Sequence, residues 1–373
     1  VSTAVSRKQR GESRPIEGAA KFLQVAELRR SKEHSEEDLH NVKTLIFWLI
    51  VIAGFVVGSL AFMTQMPGAT VLTVTGAAGE DDARIESSLR GHVESFASEF
   101  GARGNSYPQA SAQTILYIER EMKRANFEIK QSTFDSRITP GVNIEGTLLG
   151  TRKKDEILLL GANYDTDGKS PGAEDNASGC AVLFEMLRVF GEAASERTVR
   201  VVFFGNGAGQ YAGEENSGAW AYAREAHKRG DKIVAMIDFD CLGHFKDAPG
   251  SQSVPFPLST VYPSTGNFVL FAGQLGARDL VRTATSEFRK AGRFPCHGLA
   301  LPGFLPGVKS GDYAAFAKFD YPAIVATDTG SFRFDKVGTL WDTTERLDYP
   351  KMARATSNLI RVVTALAKTG GTL

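Results

Sequence analysis

The chain has 373 residues, and its 43 lysines and arginines balance 43 aspartates and glutamates, for a formal net charge of zero. That balance excludes the basic footprint of a nucleic-acid-binding domain and points to no acidic ligand. The 42% hydrophobic and 23% charged residues suit a folded protein, while three cysteines, Cys180, Cys241 and Cys296, are too few and too scattered for a disulfide framework or a zinc cluster. Buried free thiols are expected, with one bridge in an oxidising compartment as the alternative.

Residues 1–14 are polar and basic and are expected to be disordered. From Pro15 to Arg30, Ile16, Ala19, Ala20, Leu23 and Ala26 recur at helical spacing, with Phe22 and Leu28 widening the face. Such a helix suits the inner membrane surface or a partner, or is simply solvated. Ser35–Asp38 reads as the start of the next helix. Thr44–Met63 then carries no charge and is long enough to cross a bilayer. A secretory signal fits less well, because the preceding segment is long and the apolar run exceeds a usual signal core. Arg29, Arg30, Lys32 and Lys43 precede this run, and Glu80, Asp81 and Asp82 follow it, which predicts a cytoplasmic N-terminus. Gly54 and Gly58 form a small-residue pair that permits close approach of a second membrane helix. The expected organisation is a cytoplasmic segment 1–43, a membrane helix 44–65, a linker 66–85 and an outer domain 86–373.

In the outer domain, helical periodicity covers 86–100, 110–125, 177–191, 217–229, 277–291, 311–319 and 348–367. Strand-like runs cover 127–134, 142–149, 156–162, 199–204, 233–242, 268–272 and 323–326. Continuous apolar strands alternating with helices predict an α/β fold, a doubly wound, mostly parallel sheet covered on both faces. In such folds ligands lie beyond the carboxyl ends of the strands.

The first of those turns, from Gly161 to Gly179, contains Asn163-Tyr164-Asp165 and then Pro171-Gly172-Ala173-Glu174-Asp175-Asn176-Ala177-Ser178-Gly179. With Asn143-Ile144, Tyr321-Pro322-Ala323, Thr327-Asp328-Thr329, Asp342-Thr343 and Leu347-Asp348-Tyr349, this resembles the co-catalytic zinc aminopeptidase family. That family includes bacterial leucyl aminopeptidases, glutamate carboxypeptidase and the transferrin receptor. The resemblance covers nearly the whole outer domain and implies an α/β/α sandwich.

It also implies two zinc ions bridged by an aspartate and a water, each with one histidine and one further carboxylate, and a glutamate as general base. Carried across residue by residue, the bridging aspartate is Asp175, the second carboxylate ligand is Asp240, and the orienting aspartate is Asp165. The first histidine position holds Asn163, the general base falls on Gly207, its neighbouring carboxylate ligand on Ala208, and the last histidine on Gly338. Three of five ligands and the base are therefore missing. Zinc favours imidazole and thiolate, so two aspartates would leave an oxygen-only site suited to calcium or magnesium. Loss of a general base alone costs roughly 10²–10⁴ in rate.

The sequence offers two substitutes. Glu214-Glu215 would replace the lost pair if the loop carried an insertion, and His244 would supply an imidazole near Asp240. Against metal binding, Asp175, Asp240 and Asp165 are each expected to cap backbone N–H groups. The Gly205–Gly209 stretch resembles a dinucleotide loop but has Gln210 at the third glycine position. Asn176-Ala177-Ser178 fits a glycosylation acceptor in a core turn.

The expectation is a membrane-anchored pseudo-peptidase without cofactor in a bacterial plasma membrane. It would act as scaffold or accessory subunit for other integral membrane proteins in the lipid bilayer, with no nucleic acid bound. The rival is a metal-dependent aminopeptidase-type hydrolase with a rearranged site.

Overall fold

The structure, a computed structural model, describes residues 17–76, 79–136, 140–209, 215–305, 308 and 310–368. The chain divides into two units at Leu60/Ala61. The described part of the first is helical throughout, belonging to α1, Glu17–Thr64, whose last turn lies in the second unit. The expected helix start at Ser35–Asp38 is corrected. No proline interrupts α1, and the charged residues flanking Ser35 are good helix formers, so the backbone continues without a cap. Asp38–Thr64 is long and apolar enough to cross a membrane, with mean hydropathy 2.6 and none of its apolar window buried. A Cβ placed on Gly54 or Gly58 would meet nothing within 4 Å. The reading of residues 1–14 lies outside the described residues.

The second unit is built on an eight-stranded sheet of β1 (Glu128–Phe134), β2 (Gly141–Leu148), β3 (Lys153–Asn163), β4 (Arg197–Phe204), β5 (Lys232–Phe239), β6 (Val269–Gln274), β7 (Cys296–Leu301) and β8 (Ala323–Thr327). Their spatial order is β1-β2-β4-β3-β5-β8-β6-β7. The four central strands are mutually parallel. Both flanks reverse: β1–β2–β4 is antiparallel, and β6 runs against β8. The sheet is therefore mixed, with the expected parallel character confined to its centre and to the β6–β7 pair. Sequence reading missed β7. Its His297 and Gly298 break any apolar run, and it lies at the sheet edge.

The central strands read as unbroken apolar runs because both faces are covered. Along β3, Leu158 and Leu160 enter one core while Ile157 and Leu159 enter the other, as the two-residue period of a strand requires. Leu158, Leu159 and Leu160 are fully buried, each contributing about 1.5–3 kcal/mol of apolar burial. One face carries α2 (Glu80–Glu94), α3 (Pro108–Arg124), α4 (Gly179–Glu192), α6 (Arg278–Arg289) and α8 (Tyr349–Ala367); the other carries α5 (Gly218–Arg229) and α7 (Asp312–Ala317). Ser217 caps α5 by accepting from Trp220 N–H, and Gly230 ends it at φ 71°, where a Cβ is disfavoured. Asp348 caps α8 through Lys351 N–H.

Candidate functional site

The parallel strands β3, β4, β5 and β8 end on one side of the sheet, and the turns that follow them build a shared acid-rich cleft. Asn163 ends β3 and Asp165 follows it; before α4 lies the Ala173–Ser178 turn with Glu174 and Asp175; after β5 come Asp240 and Cys241; after β8 comes Asp328. Asp342 joins them from the loop before α8. Carboxylate oxygens of Asp175 and Asp240 and the Cys241 sulfur lie within 4.8 Å of one another.

The inferred metal positions do converge here. A Cβ on Gly338 would stand 3.9 Å from Asp175 Oδ2, so this position fronts the bridging aspartate, but glycine brings no donor. Asn163 Oδ1 accepts from Asn176 Nδ2 at 3.0 Å, and its Nδ2 reaches the Asp165 carbonyl at 3.4 Å. The amide at the first imidazole position is thus committed to backbone and Asn176. Gly207 lies against Asn163: an added Cβ would fall 2.4 Å from Asn163 Cβ. The position inferred for the base has no room for a side chain. Ala208 is buried beside it.

Asp165 meets the capping expectation, accepting from Gly207 N–H at 2.8 Å and Ala208 N–H at 3.1 Å. Asp175 and Asp240 do not. Among the described residues neither side chain receives a backbone N–H at the turn; Asp342 instead accepts from Glu174 N–H (2.6 Å), Asp175 N–H (3.1 Å) and Gly338 N–H (3.4 Å). The reason is geometric, since the turn's donors face the loop before α8 and leave both aspartates at the half-buried mouth. Burial, reinforced by the charge of Asp240, pushes the Asp175 carboxyl well above its ordinary range. Asp240 is also raised by burial, against a hydrogen bond from Cys241 that favours its charged form.

The remaining acids are structural. Glu174 is fully buried and receives Gly243 N–H on both oxygens, and burial, then Asp328, to which it hydrogen-bonds, pushes its pKa well above the ordinary carboxyl range. Asp328 accepts from His244 N–H and Gly330 N–H. Asn176 ties three elements together, donating to the Phe239 carbonyl and accepting from Gly179 and Cys241 N–H groups. It is fully buried, which removes the glycosylation reading.

Among the described residues, neither substitute brings a donor to the Asp175–Asp240–Cys241 group. Glu214 and Gln210 lie outside the described residues, and Glu215 is exposed, with no hydrogen bond or ion pair to the cleft among them. The His244 ring stacks on Phe334 at 4.4 Å, with Nδ1 at 3.1 Å from the Arg346 carbonyl. It stays outside the Asp175–Asp240–Cys241 group.

Sequence reasoning missed two participants. Cys241 carried only the signal of adjacency to Asp240. Arg103 carried none, yet it is fully buried, and its guanidinium donates to the carbonyls of Tyr164, Phe96, Gly101, Pro171 and Gly172. Burial lowers its pKa to about 10, opposed by Asp165, Asp342 and Asp175. It is one buried cation set among these carboxylates, and Arg333 is another, beside Asp328 and Glu174. All three cysteines are free and buried, as expected.

A co-catalytic zinc pair does not fit this donor set. No imidazole joins the Asp175–Asp240–Cys241 group among the described residues, and burial with the Asp240 and Asp175 charges pushes the Cys241 thiol far up, away from its ligating thiolate form.

The sequence matches Peptidase family M28 over residues 143–363. The chain belongs to that family. Among its relatives, YfbL of Escherichia coli K12, described as uncharacterized, is 28% identical over 216 residues, covering 56% of this chain and 66% of YfbL. A probable zinc metalloprotease of Pyrenophora tritici-repentis is 32% identical over 139 residues, covering 34% of this chain and 30% of that protein. The chain therefore spans less than two thirds of either relative. A zinc aminopeptidase from Bacillus subtilis has the same fold at TM-score 0.60 and 13% identity, covering 75% of this chain and 95% of that one. Bacteroides thetaiotaomicron glutaminyl cyclase superposes at TM-score 0.57 and 16% identity, covering 75% and 97%. This M28 fold therefore carries more than one named activity, and the reaction has to be argued from the site.

Proposed function

We propose that this M28 domain is non-catalytic and serves as a membrane-anchored scaffold or accessory subunit of a larger membrane protein complex. One observation carries the reading: the inferred base position, Gly207, is packed directly against Asn163, so neither inferred position supplies a base or an imidazole. Without water activation and a metal pair, M28-type hydrolysis loses two independent contributions to its rate. The apolar helix Asp38–Thr64 supplies the anchor. The charge asymmetry around it supports an N-terminus in the cytoplasm and the M28 domain across a bacterial plasma membrane. The open face at Gly54 and Gly58 suits contact with another membrane subunit.

The full chain, purified in mild detergent, is expected to hold far less than one zinc per chain. It should also show no aminopeptidase turnover that Asp175→Ala abolishes. Near-stoichiometric zinc together with activity lost in that variant would refute the proposal. The grouping of Asp175, Asp240 and Cys241 within 4.8 Å favours a second reading, a hydrolase with a rearranged single-metal site. The same two measurements decide between them, with Cys241→Ser as the diagnostic variant.

A further inference from the structure

The Arg278 and Arg282 side chains of α6 reach the last turn of the apolar helix and the residue that follows. Arg278 Nε donates to the Phe62 carbonyl at 2.9 Å with its guanidinium 4.0 Å above the Phe62 ring, and Arg282 donates to the Gln65 carbonyl at 3.0 Å. These are C-terminal carbonyls of a helix, which basic side chains satisfy well. Neither arginine has a carboxylate partner among the described residues, so both keep uncompensated charge.

Location follows from bond lengths. If the segment ending at Thr64 fills the hydrocarbon, Phe62 stands at its boundary, and the headgroup layer beyond is roughly 5–8 Å thick. A guanidinium bonded to Phe62 lies inside that layer. The same end of the domain carries exposed apolar side chains. β6 ends at Gln274, paired with Leu301 at the end of β7. Leu275 follows the first of these, 38% exposed, and Phe304 lies just beyond the second, 74% exposed. Gly303 lies against the Gln274 side chain, which brings the two turns together. Arginine with neighbouring leucine and phenylalanine is the composition of a surface seated in a headgroup layer.

Resting on the membrane-span reading above, we infer that this end of the M28 domain sits on the lipid headgroups, with Arg278 and Arg282 on their phosphates and Phe304 and Leu275 dipping between them. Because β6 runs antiparallel to β8, the end of β6 lies at the opposite end of the sheet from Asp240 and Asp328. The acidic cleft thus lies at the other end of the sheet, about 25 Å from the seated end by the length of an eight-residue strand.

The test uses the full chain in vesicles of phosphatidylethanolamine and phosphatidylglycerol. Fluorophores are attached through Phe304→Cys and Leu275→Cys at the seated end and through Trp341→Cys beside the cleft. The native thiols are buried. Lipids carrying a headgroup-depth nitroxide should quench the first two labels severalfold more than the third, and aqueous iodide should show the reverse order. Labels at 304 and 275 as open to iodide as that at 341 would overturn the inference. So would labels shielded from both quenchers, which would place a protein subunit there. If alkaline carbonate strips the chain from the vesicles, the span reading fails and this inference falls with it; retention with iodide-exposed labels defeats this inference alone.

Discussion

Gly207→Ala tests the packing at the position that the resemblance gives to the general base. The added Cβ would lie 2.4 Å from Asn163 Cβ and 3.0 Å from its Cγ, whereas non-bonded carbons settle at about 3.5–4.0 Å. Asn163 cannot retreat, because its Cβ is fixed at the end of β3 and its amide is held by Asn176. The loop must move instead, and it is tethered by the Gly207 and Ala208 N–H bonds to Asp165 at 2.8 and 3.1 Å. Overpacking costs about 1–3 kcal/mol, and loss of one hydrogen bond to a buried carboxyl adds about 1.5–3 kcal/mol. The expected destabilisation is about 3–5 kcal/mol, a fall of roughly 5–8 °C in melting midpoint for a domain of this size. Tryptophan fluorescence of the full chain during a thermal ramp in detergent reads it. Gly91→Ala is the control: it is an exposed helical glycine whose added Cβ meets nothing within 4 Å, so a small stabilisation of about 0.5–1 kcal/mol is expected. Equal midpoints for the two variants would refute the steric argument, because position 207 could then admit a side chain.

Arg103→Lys keeps the charge but loses the planar fork that serves five carbonyls, and should lower stability by about 3 kcal/mol in the same melt. Asp342→Asn turns an acceptor into a donor facing the N–H groups of Glu174, Asp175 and Gly338, with an expected loss of about 2 kcal/mol by urea titration. Glu174→Gln should change the pH dependence of stability. The folded pKa of Glu174 is raised by burial and by Asp328, so its contribution is complete below its unfolded pKa and is lost as pH rises through the folded value. The variant does not titrate. It should therefore gain on the parent between pH 5 and pH 8, and melting differences that stay constant across that range would sink the assignment.

Much of the fold was legible because buried parallel strands and amphipathic helices write their periods into sequence. The run Glu156–Ala162 and the helix at 177–191 appear within a few residues of β3 and α4. β7 was not legible, since a short edge strand with His297 and Gly298 has no apolar run to mark it. The Ser35 start was wrong because a capping residue is also tolerated inside a helix when no breaker accompanies it. In the site, the motif around Asp175 placed Asn163, Asp165, Gly207, Ala208, Asp240 and Gly338 in one cleft. It could not place Arg103 or the Glu174–Asp328 pair. Three of the Arg103 partners, Tyr164, Pro171 and Gly172, lie 61 to 69 residues away, Asp328 lies farther still from Glu174, and no local pattern records a contact made only by folding.

The acids of the cleft divide by what they hold. Asp165, Asp342, Glu174 and Asp328 each accept backbone N–H groups that join separate loops, so replacing any of them would leave buried donors unpaired. Such residues are held for structural reasons whatever the cleft binds, whereas the positions that the resemblance gives to the two histidines, the neighbouring carboxylate and the base are Asn163, Gly338, Ala208 and Gly207. Asp175 and Asp240 fit neither group. They hold no loop among the described residues, they sit half-buried at the mouth, and burial raises both pKa values, a cost the fold carries without return. The function of the cleft must therefore be sought at this pair. Variants there should spare stability and affect only what the cleft binds.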